Sequence, residues 1–317
     1  MQLTNLSFEV RDQIAYVGFG LNEKKSMTTL TRDTMEELRQ VLAEIAKKQK
    51  KEIRGVLFFS HRPGVFLAGV DVTLIASLKS EAEAARGAEQ GQLLYNLIED
   101  LKVPTAALVD GVCLGGGLEL ALSCQRIYVS DNSKTALGLP EVMLGVLPGF
   151  GGTYRLPRKI GLPAALDLIL SGRQVKGKAA FKLGLAEAIL PVERMLELAP
   201  GLLLKPVPKR GSLGESFQRA ATENFLTREI IFQKARQKVL EQSKGFYPAP
   251  LKILEVLEAG ASKGRDAYLA MEAQAFGDLS QTVVSKNLQH IFFLTDSSKK
   301  LDNKDQLKSI RRGAVLG

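Results

Sequence analysis

The sequence predicts an α/β fold, and three observations predict it. Apolar runs that read as strands buried on both faces recur at Ile53–Phe59, Thr105–Val109 and Ile127–Val129. Between them lie stretches with apolar residues at helical spacing. The joints are irregular segments punctuated by Gly and Pro, so that strand, loop and helix repeat as a unit. This pattern does not by itself set the order of the strands.

The elements follow in turn. Phe8–Val10 and Ile14–Phe19 are β-rich runs around Arg11-Asp12-Gln13 and predict a hairpin. Thr31 resembles an N-cap, and Met35, Leu38, Val41, Leu42 and Ile45 follow at helical spacing. The first buried strand leads into the loop SHRPGVFLAGVD. A helix then follows with Leu93, Leu94, Leu97, Ile98 and Leu101 on one face. Pro104 helps open the second strand, which runs through GVCLGGG into the helix LELALSC. The third strand leads through the loop before Pro140 to a helix after PGFGGT.

Beyond Pro191 the texture changes. Pro200, Pro206 and Pro208, with Gly201, Gly211 and Gly214, read as a linker or surface excursion. Residues 217–300 look helical, with three apolar sets expected to pack. These are Phe225, Ile230, Ile231, Ala235, Val239 and Leu240; then Ile253, Leu254, Val256 and Leu257; then Leu288, Ile291, Phe292 and Phe293. The ending IRRGAVLG, a β-like run closed by glycine after a polar stretch, looks like the start of a further element.

Composition narrows the function classes. The 317 residues are 45% hydrophobic and 24% charged, enough for a sizeable core. Two cysteines, Cys113 and Cys124, offer no disulfide framework, and the distant His61 and His290 complete no familiar metal site. The net charge of +9 suits an anionic ligand, but no polybasic block with interleaved aromatics favours nucleic acid. The cluster Lys47, Lys48, Lys50 and Lys51 closes a helix, where cations suit the negative helix end. No signal peptide and no bilayer-length apolar stretch is visible, so a cytoplasmic protein is expected, with peripheral membrane contact open.

Three segments carry chemistry. In Phe66-Leu67-Ala68-Gly69-Val70-Asp71, small residues let backbone N–H groups reach a ligand, although a plain strand-to-helix turn would look the same. In Gly111–Glu119 three glycines open a helix whose N-terminus can seat an oxyanion or phosphate. Gly115 and Gly117 supply G-x-G, but Leu120 stands where a dinucleotide fingerprint needs its third glycine, and no Lys-Ser/Thr completes a phosphate loop. A developing oxyanion fits better, with Glu119 in the first helical turn. In Gly138–Glu141, followed by GVLPGFGGT, Glu141 sits among apolar residues, where partial burial would raise its pKa toward that of a proton-transfer group.

Taken together, FLAGVD, GVCLGGGLE and GLPEVMLGVLPGFGGTYRLPR resemble the crotonase, or enoyl-CoA hydratase/isomerase, superfamily over about residues 5–190. KGFYPAPLKILEVLEAG, YLAMEAQAFGDL and the ending are similar to the alpha subunits of multifunctional fatty-acid β-oxidation complexes. The resemblance implies a spiral of ββα units covered by later helices. It implies a hydratase core over 1–190, a linker and helical part over 191–283, and over 284–317 a linker helix leading into a missing 3-hydroxyacyl-CoA dehydrogenase domain, Gly317 matching the first glycine of its dinucleotide loop.

It also implies roles. The backbone N–H groups of Val70 and Gly116 match the oxyanion hole, and Glu119 and Glu141 match the catalytic glutamates of a lyase that adds water to 2-enoyl-CoA. Phe66, Ala68, Gly69, Asp71, Gly115, Gly117, Pro148 and Gly149 fall at substrate-binding positions. In one assignment Glu119 deprotonates a water while Glu141 supplies the C2 proton. Coenzyme A enters as the substrate thioester, with no cofactor in this chain and NAD only in the missing domain. The implied partners are a thiolase beta subunit or further copies of the chain. Isomerisation of 3-enoyl-CoA needs one carboxylate, so the intact pair favours hydration. A non-catalytic acyl-CoA scaffold would need neither.

Overall fold

The computed structural model describes residues 3–22, 27–206 and 224–300. The expected hairpin opens the chain. Strands β1 (Leu6–Arg11) and β2 (Ile14–Phe19) pair antiparallel across Asp12 and Gln13, both with positive φ, the geometry a two-residue turn needs to match strand twist. Helix α1 (Arg32–Lys48) begins at Thr31, whose side chain accepts the Thr34 N–H, and buries Leu38, Val41, Leu42 and Ile45.

From β3 (Gly55–Ser60) onward the chain winds as a spiral. Each turn adds a strand to a large sheet, a short strand to a small sheet, and a helix. The turns are β3, β4 (Val65–Leu67) and α3 (Glu81–Glu99), preceded by the short α2 (Val72–Ala76); then β5 (Thr105–Val109), β6 (Val112–Leu114) and α4 (Gly116–Ser123); then β7 (Arg126–Ser130), β8 (Ala136–Gly138), a 3-10 turn (Glu141–Leu144) and α5 (Gly152–Ile160). Helix α6 (Leu162–Ser171), β9 (Gln174–Lys176), α7 (Gly177–Lys182) and β10 (Ala188–Leu190) close it. The large sheet runs β1-β2-β3-β5-β7-β10 and is parallel from β2 onward. The small one runs β4-β6-β8-β9.

Alternation along β3 shows why its apolar run is continuous. Val56 and Phe58 enter the main core with Leu38, Ile98 and Leu118, whereas Leu57 faces the other side with Tyr16, Leu108 and Tyr128. Burying each such side chain contributes roughly 1.5–3 kcal/mol. That second side is covered by α8 (Met195–Leu203), through Met195, Ala199 and Leu203. This corrects the expectation of a linker or excursion around Pro200. The i, i+4, i+8 apolar stripe packs on the sheet and keeps Pro200 inside a helix. Pro208, Gly211 and Gly214 lie outside the described residues.

The helices α9 (Phe225–Ser243), α10 (Pro248–Gly260), α11 (Arg265–Ser280) and α12 (Val283–Lys300) complete the chain's described part. Ile253, Leu254, Val256 and Leu257 are buried as expected. Other sets need correction. On α3, Leu94 and Ile98 turn inward, as does Leu101 just beyond its end, but Leu93 and Leu97 are exposed, because the buried sides are Ala85 and Gln92 toward α11, Gly91 toward Phe150 and Tyr95 toward α4. On α9, Ile230 and Leu240 are exposed and Phe232 is the anchor. On α12, Ile291 and Phe292 are exposed while Ser285 and Gln289 are buried. The IRRGAVLG ending lies outside the described residues. No helix among the described residues is long and apolar enough to cross a membrane.

Candidate active site

The site forms where β4, β6 and the start of α4 converge. Helix α4 starts on Gly115, whose N–H is tied to the Gly138 carbonyl at 2.9 Å, and the Glu119 N–H closes the first turn on the Gly115 carbonyl. The first N–H groups of a helix have no intrahelical partner, and Gly116 provides one of them. Beside it runs the segment after β4. The Ala68 N–H goes to the Thr28 carbonyl and the Gly69 carbonyl takes the Leu30 N–H. Gly69 has φ +96°, which a β-carbon would strain. A β-carbon on Gly116 would stand 3.6 Å from the Val70 nitrogen, and one on Gly69 would stand 3.6 Å from the Gly116 nitrogen. The Val70 and Gly116 amides are thus neighbours. The Tyr95 hydroxyl, buried under α4, donates to the Gly116 carbonyl at 2.7 Å and fixes that stretch of backbone.

Glu119 projects from the first turn of α4 and is 2% exposed. Its Oε1 accepts the N–H groups of Phe150 and Gly152, each at 2.8 Å. Burial pushes its pKa well above the ordinary carboxylate range, and the nearby charges of Glu141 and Glu272 add to this, opposed by the two backbone donors. Glu141 opens the 3-10 turn behind Pro140. Its Oε2 is buried with no hydrogen-bond partner among the described residues, and burial pushes its pKa up to about 8. A β-carbon on Gly115 would stand 3.0 Å from Glu141 Oε1, so this carboxylate lies against the beginning of the helix that carries Glu119. Helix α12 braces the turn from behind: Ser285 Oγ donates to the Leu144 carbonyl at 2.9 Å.

The remaining sequence candidates take up distinct places. Gly117 lets α4 approach β4, since a β-carbon there would stand 2.4 Å from the Leu67 carbonyl oxygen. Pro148 and Gly149 lead into the loop that holds Glu119, and the Gly149 carbonyl accepts from Gln92. Asp71 caps α2, its carboxylate accepting from the Thr73 N–H and hydroxyl. Phe66 is fully buried, edge-on to Phe19 with ring centroids 6.3 Å apart, which places its ring in the core.

Sequence alone places Phe150, Gly152 and Thr153 in the third segment without giving them a role, and does not single out Tyr95, Gln92 or Glu272; all six hold the site together. The available signal was a polar residue at a position of a buried helix face. Glu272 shares its face with Tyr268, Leu269, Ala273 and Phe276, and Gln92 shares its own with Ala88 and Tyr95. No group of His, Cys, Asp and Glu among the described residues could hold a metal ion.

This arrangement, a ββα spiral with two amides beside a buried carboxylate pair, is a crotonase fold. The chain belongs to the enoyl-CoA hydratase/isomerase family, which residues 9–248 match. It is 39% identical over 315 residues to the fatty acid oxidation complex subunit alpha of Idiomarina loihiensis, covering 98% of this chain and 44% of that protein. It is 41% identical over 307 residues to the same-named subunit of Aliivibrio fischeri, covering 96% and 44%. The chain thus spans under half the length of these curated relatives. Among solved structures, human mitochondrial delta3-delta2-enoyl-CoA isomerase matches with a TM-score of 0.65 at 21% identity, over 94% of this chain and 100% of that one. Enoyl-CoA hydratase from Bacillus anthracis matches with a TM-score of 0.58 at 24% identity, over 94% and 97%. At these identities the structures establish the shared fold.

Proposed function

We propose that the chain hydrates 2-enoyl-CoA to 3-hydroxyacyl-CoA by syn addition of water, as the hydratase part of a fatty-acid oxidation alpha subunit. The observation that carries this is the pair Glu119 and Glu141, two buried carboxylates of raised pKa at the start of one helix, beside the Val70 and Gly116 amides. Water addition moves negative charge onto the thioester oxygen, and two fixed N–H donors stabilise it there. Losing one such donor typically raises the barrier by about 3–4 kcal/mol. Glu119, with Oε1 pinned by two backbone donors, is suited to orient and deprotonate the water. Glu141, with a free buried oxygen and a pKa near 8, is suited to deliver the C2 proton.

That same free oxygen supports a second activity: Glu141 alone could shuttle a proton between C4 and C2 and convert 3-enoyl-CoA to 2-enoyl-CoA. The matched length of the relatives supports the wider assignment. Residues 1–190 form the hydratase core, 191–283 a linker and covering helices, and 284–317 a lead into an NAD-dependent dehydrogenase domain. A thiolase subunit would be the partner in a cytoplasmic complex. The test is the loss of conjugated-thioester absorbance of a short 2-enoyl-CoA. The chain turns over, and Glu119→Gln and Glu141→Gln each lower kcat by about 10²–10⁴-fold. Turnover unchanged in both variants removes the mechanism.

A further inference from the structure

Glu272, on α11, is a third buried carboxylate, 0% exposed. Its Oε1 accepts the Gly151 N–H at 2.6 Å and the Gln92 amide at 3.1 Å, and its Oε2 accepts the Thr153 N–H at 3.1 Å and the Thr153 hydroxyl. The loop between Pro148 and α5 therefore divides its donors strictly by turn. Phe150 and Gly152 give their N–H groups to Glu119, and Gly151 and Thr153 give theirs to Glu272. The carbonyls of the same loop are held as well. Gly149 accepts from Gln92, Phe150 from Arg155 and Thr153 from Tyr268.

We propose that Glu272 is a positioning residue, fixing the Phe150–Thr153 loop and through it the Glu119 carboxylate; this rests on Glu119 and Glu141 acting as the proton-transfer pair. Gly151, the N-cap of α5, cannot carry a capping side chain of its own, because its φ is +101° and a β-carbon there would run into the Arg155 guanidinium. The acid that serves instead comes from a helix more than a hundred residues further along and takes the N–H groups of both Gly151 and Thr153, so it holds the path of the loop as well as the helix end. Three of the four groups on Glu272 can only donate, which suits the ionised form. Burial opposes that by raising its pKa, while its hydrogen bonds and the Arg155 guanidinium pull the other way. The groups facing the cluster are Glu119, Glu141, Tyr95 from α3, Arg155 from α5 backed by Glu99, and Tyr268 from α11. The charge on Glu272 raises the proton affinity of both Glu119 and Glu141.

Glu272→Gln keeps the shape but removes the charge and turns an amide NH2 toward N–H donors. In the 317-residue chain acting on a short 2-enoyl-CoA, kcat should fall about ten- to hundredfold, with KM changed by no more than about twofold. The acid limb of the pH profile should move to lower pH. In Glu272→Asp, which keeps the charge, that limb stays in place. A kcat within about twofold of wild type and an unmoved profile in Glu272→Gln overturn the proposal. Should that variant not fold, Thr153→Val reads the same link: a reduced kcat with an intact fold supports it, and an unchanged kcat overturns it. Infrared titration of the protonated-carboxyl band in the unliganded protein separates this idea from the proposed activity. A wild type that does not hydrate, with the band shifted to lower pH in Glu272→Gln, removes the activity and keeps the positioning role; an unshifted band removes that role.

Discussion

Gly152 meets Glu119 twice: its N–H donates to Oε1 at 2.8 Å, and a β-carbon on Gly152 would stand 2.9 Å from that same oxygen and 3.1 Å from Glu119 Cγ. Donor and steric limit lie on one residue, so the carboxylate cannot retreat without losing its anchor. Gly152→Ala must push the Glu119 side chain or the loop aside. Overpacking of this kind costs about 1–3 kcal/mol, and a displacement near 1 Å costs about a hundredfold in rate. A thermal melt and kcat for a short 2-enoyl-CoA should show both losses. Wild-type kcat in this variant would mean that Glu119 does not need its present position.

The proton affinity of Glu141 makes a stability prediction of definite sign. An unfolded glutamate titrates near pH 4.3, whereas burial in the fold raises Glu141 to about 8. Between those values the native state binds more protons than the unfolded chain, so this group's contribution is full below the lower value and is lost as pH rises through the upper one. Glu141→Gln, neutral throughout, should therefore be more stable than wild type at pH 8, by up to about 5 kcal/mol. The difference should vanish near pH 4. Paired thermal melts at the two pH values measure it, and a difference that grows on acidification would contradict the assignment.

The same protonation sets the alkaline side of the activity profile. As pH passes about 8 Glu141 gives up its proton, and in the proposed roles it then has none to deliver to C2. Hydration by the wild type should decline above that point. In Glu141→Gln the residual rate should lack this decline. A pH series of kcat for both proteins decides between them.

Tyr95→Phe isolates the prop under the oxyanion site. It removes the hydroxyl that donates to the Gly116 carbonyl at 2.7 Å and leaves the ring packed edge-on against Phe150 with centroids 5.5 Å apart. The cost to stability should be about 1–1.5 kcal/mol. On the proposal that Gly116 offers an oxyanion donor, kcat should fall several-fold with KM nearly constant. A purely structural role would lower the melting temperature alone.

Much of the frame was legible. Thr31 announces its helix by capping chemistry, the short break Arg11-Asp12-Gln13 between two β-rich runs announces a hairpin, and Thr105–Val109 is long and apolar enough to be a buried strand. Glu119 and Glu141 stood out because each acid sits beside a glycine or proline punctuation at the start of a turn. What stayed hidden depends on contacts far apart in sequence. Nothing local tells that Leu93 and Leu97 face outward, since the side that meets α11 presents Ala85 and Gln92, and Gly91 lies against Phe150. The three-residue strands β4, β6 and β8 are too short to show alternation, so residue patterning alone gives the second sheet no signature and only the family resemblance implies it. Glu272 lies 121 residues from the Gly151 amide that it binds.

The alternation of amides between Phe150 and Thr153 also determines what this stretch can become. Successive peptides point to opposite sides, so parity decides which acid each one serves. Removing or adding a single residue there would exchange the two customers along the whole run, sending Glu119's donors to α11 and Glu272's to α4. The stretch can change its side chains, but its length is held like the tooth count of a gear.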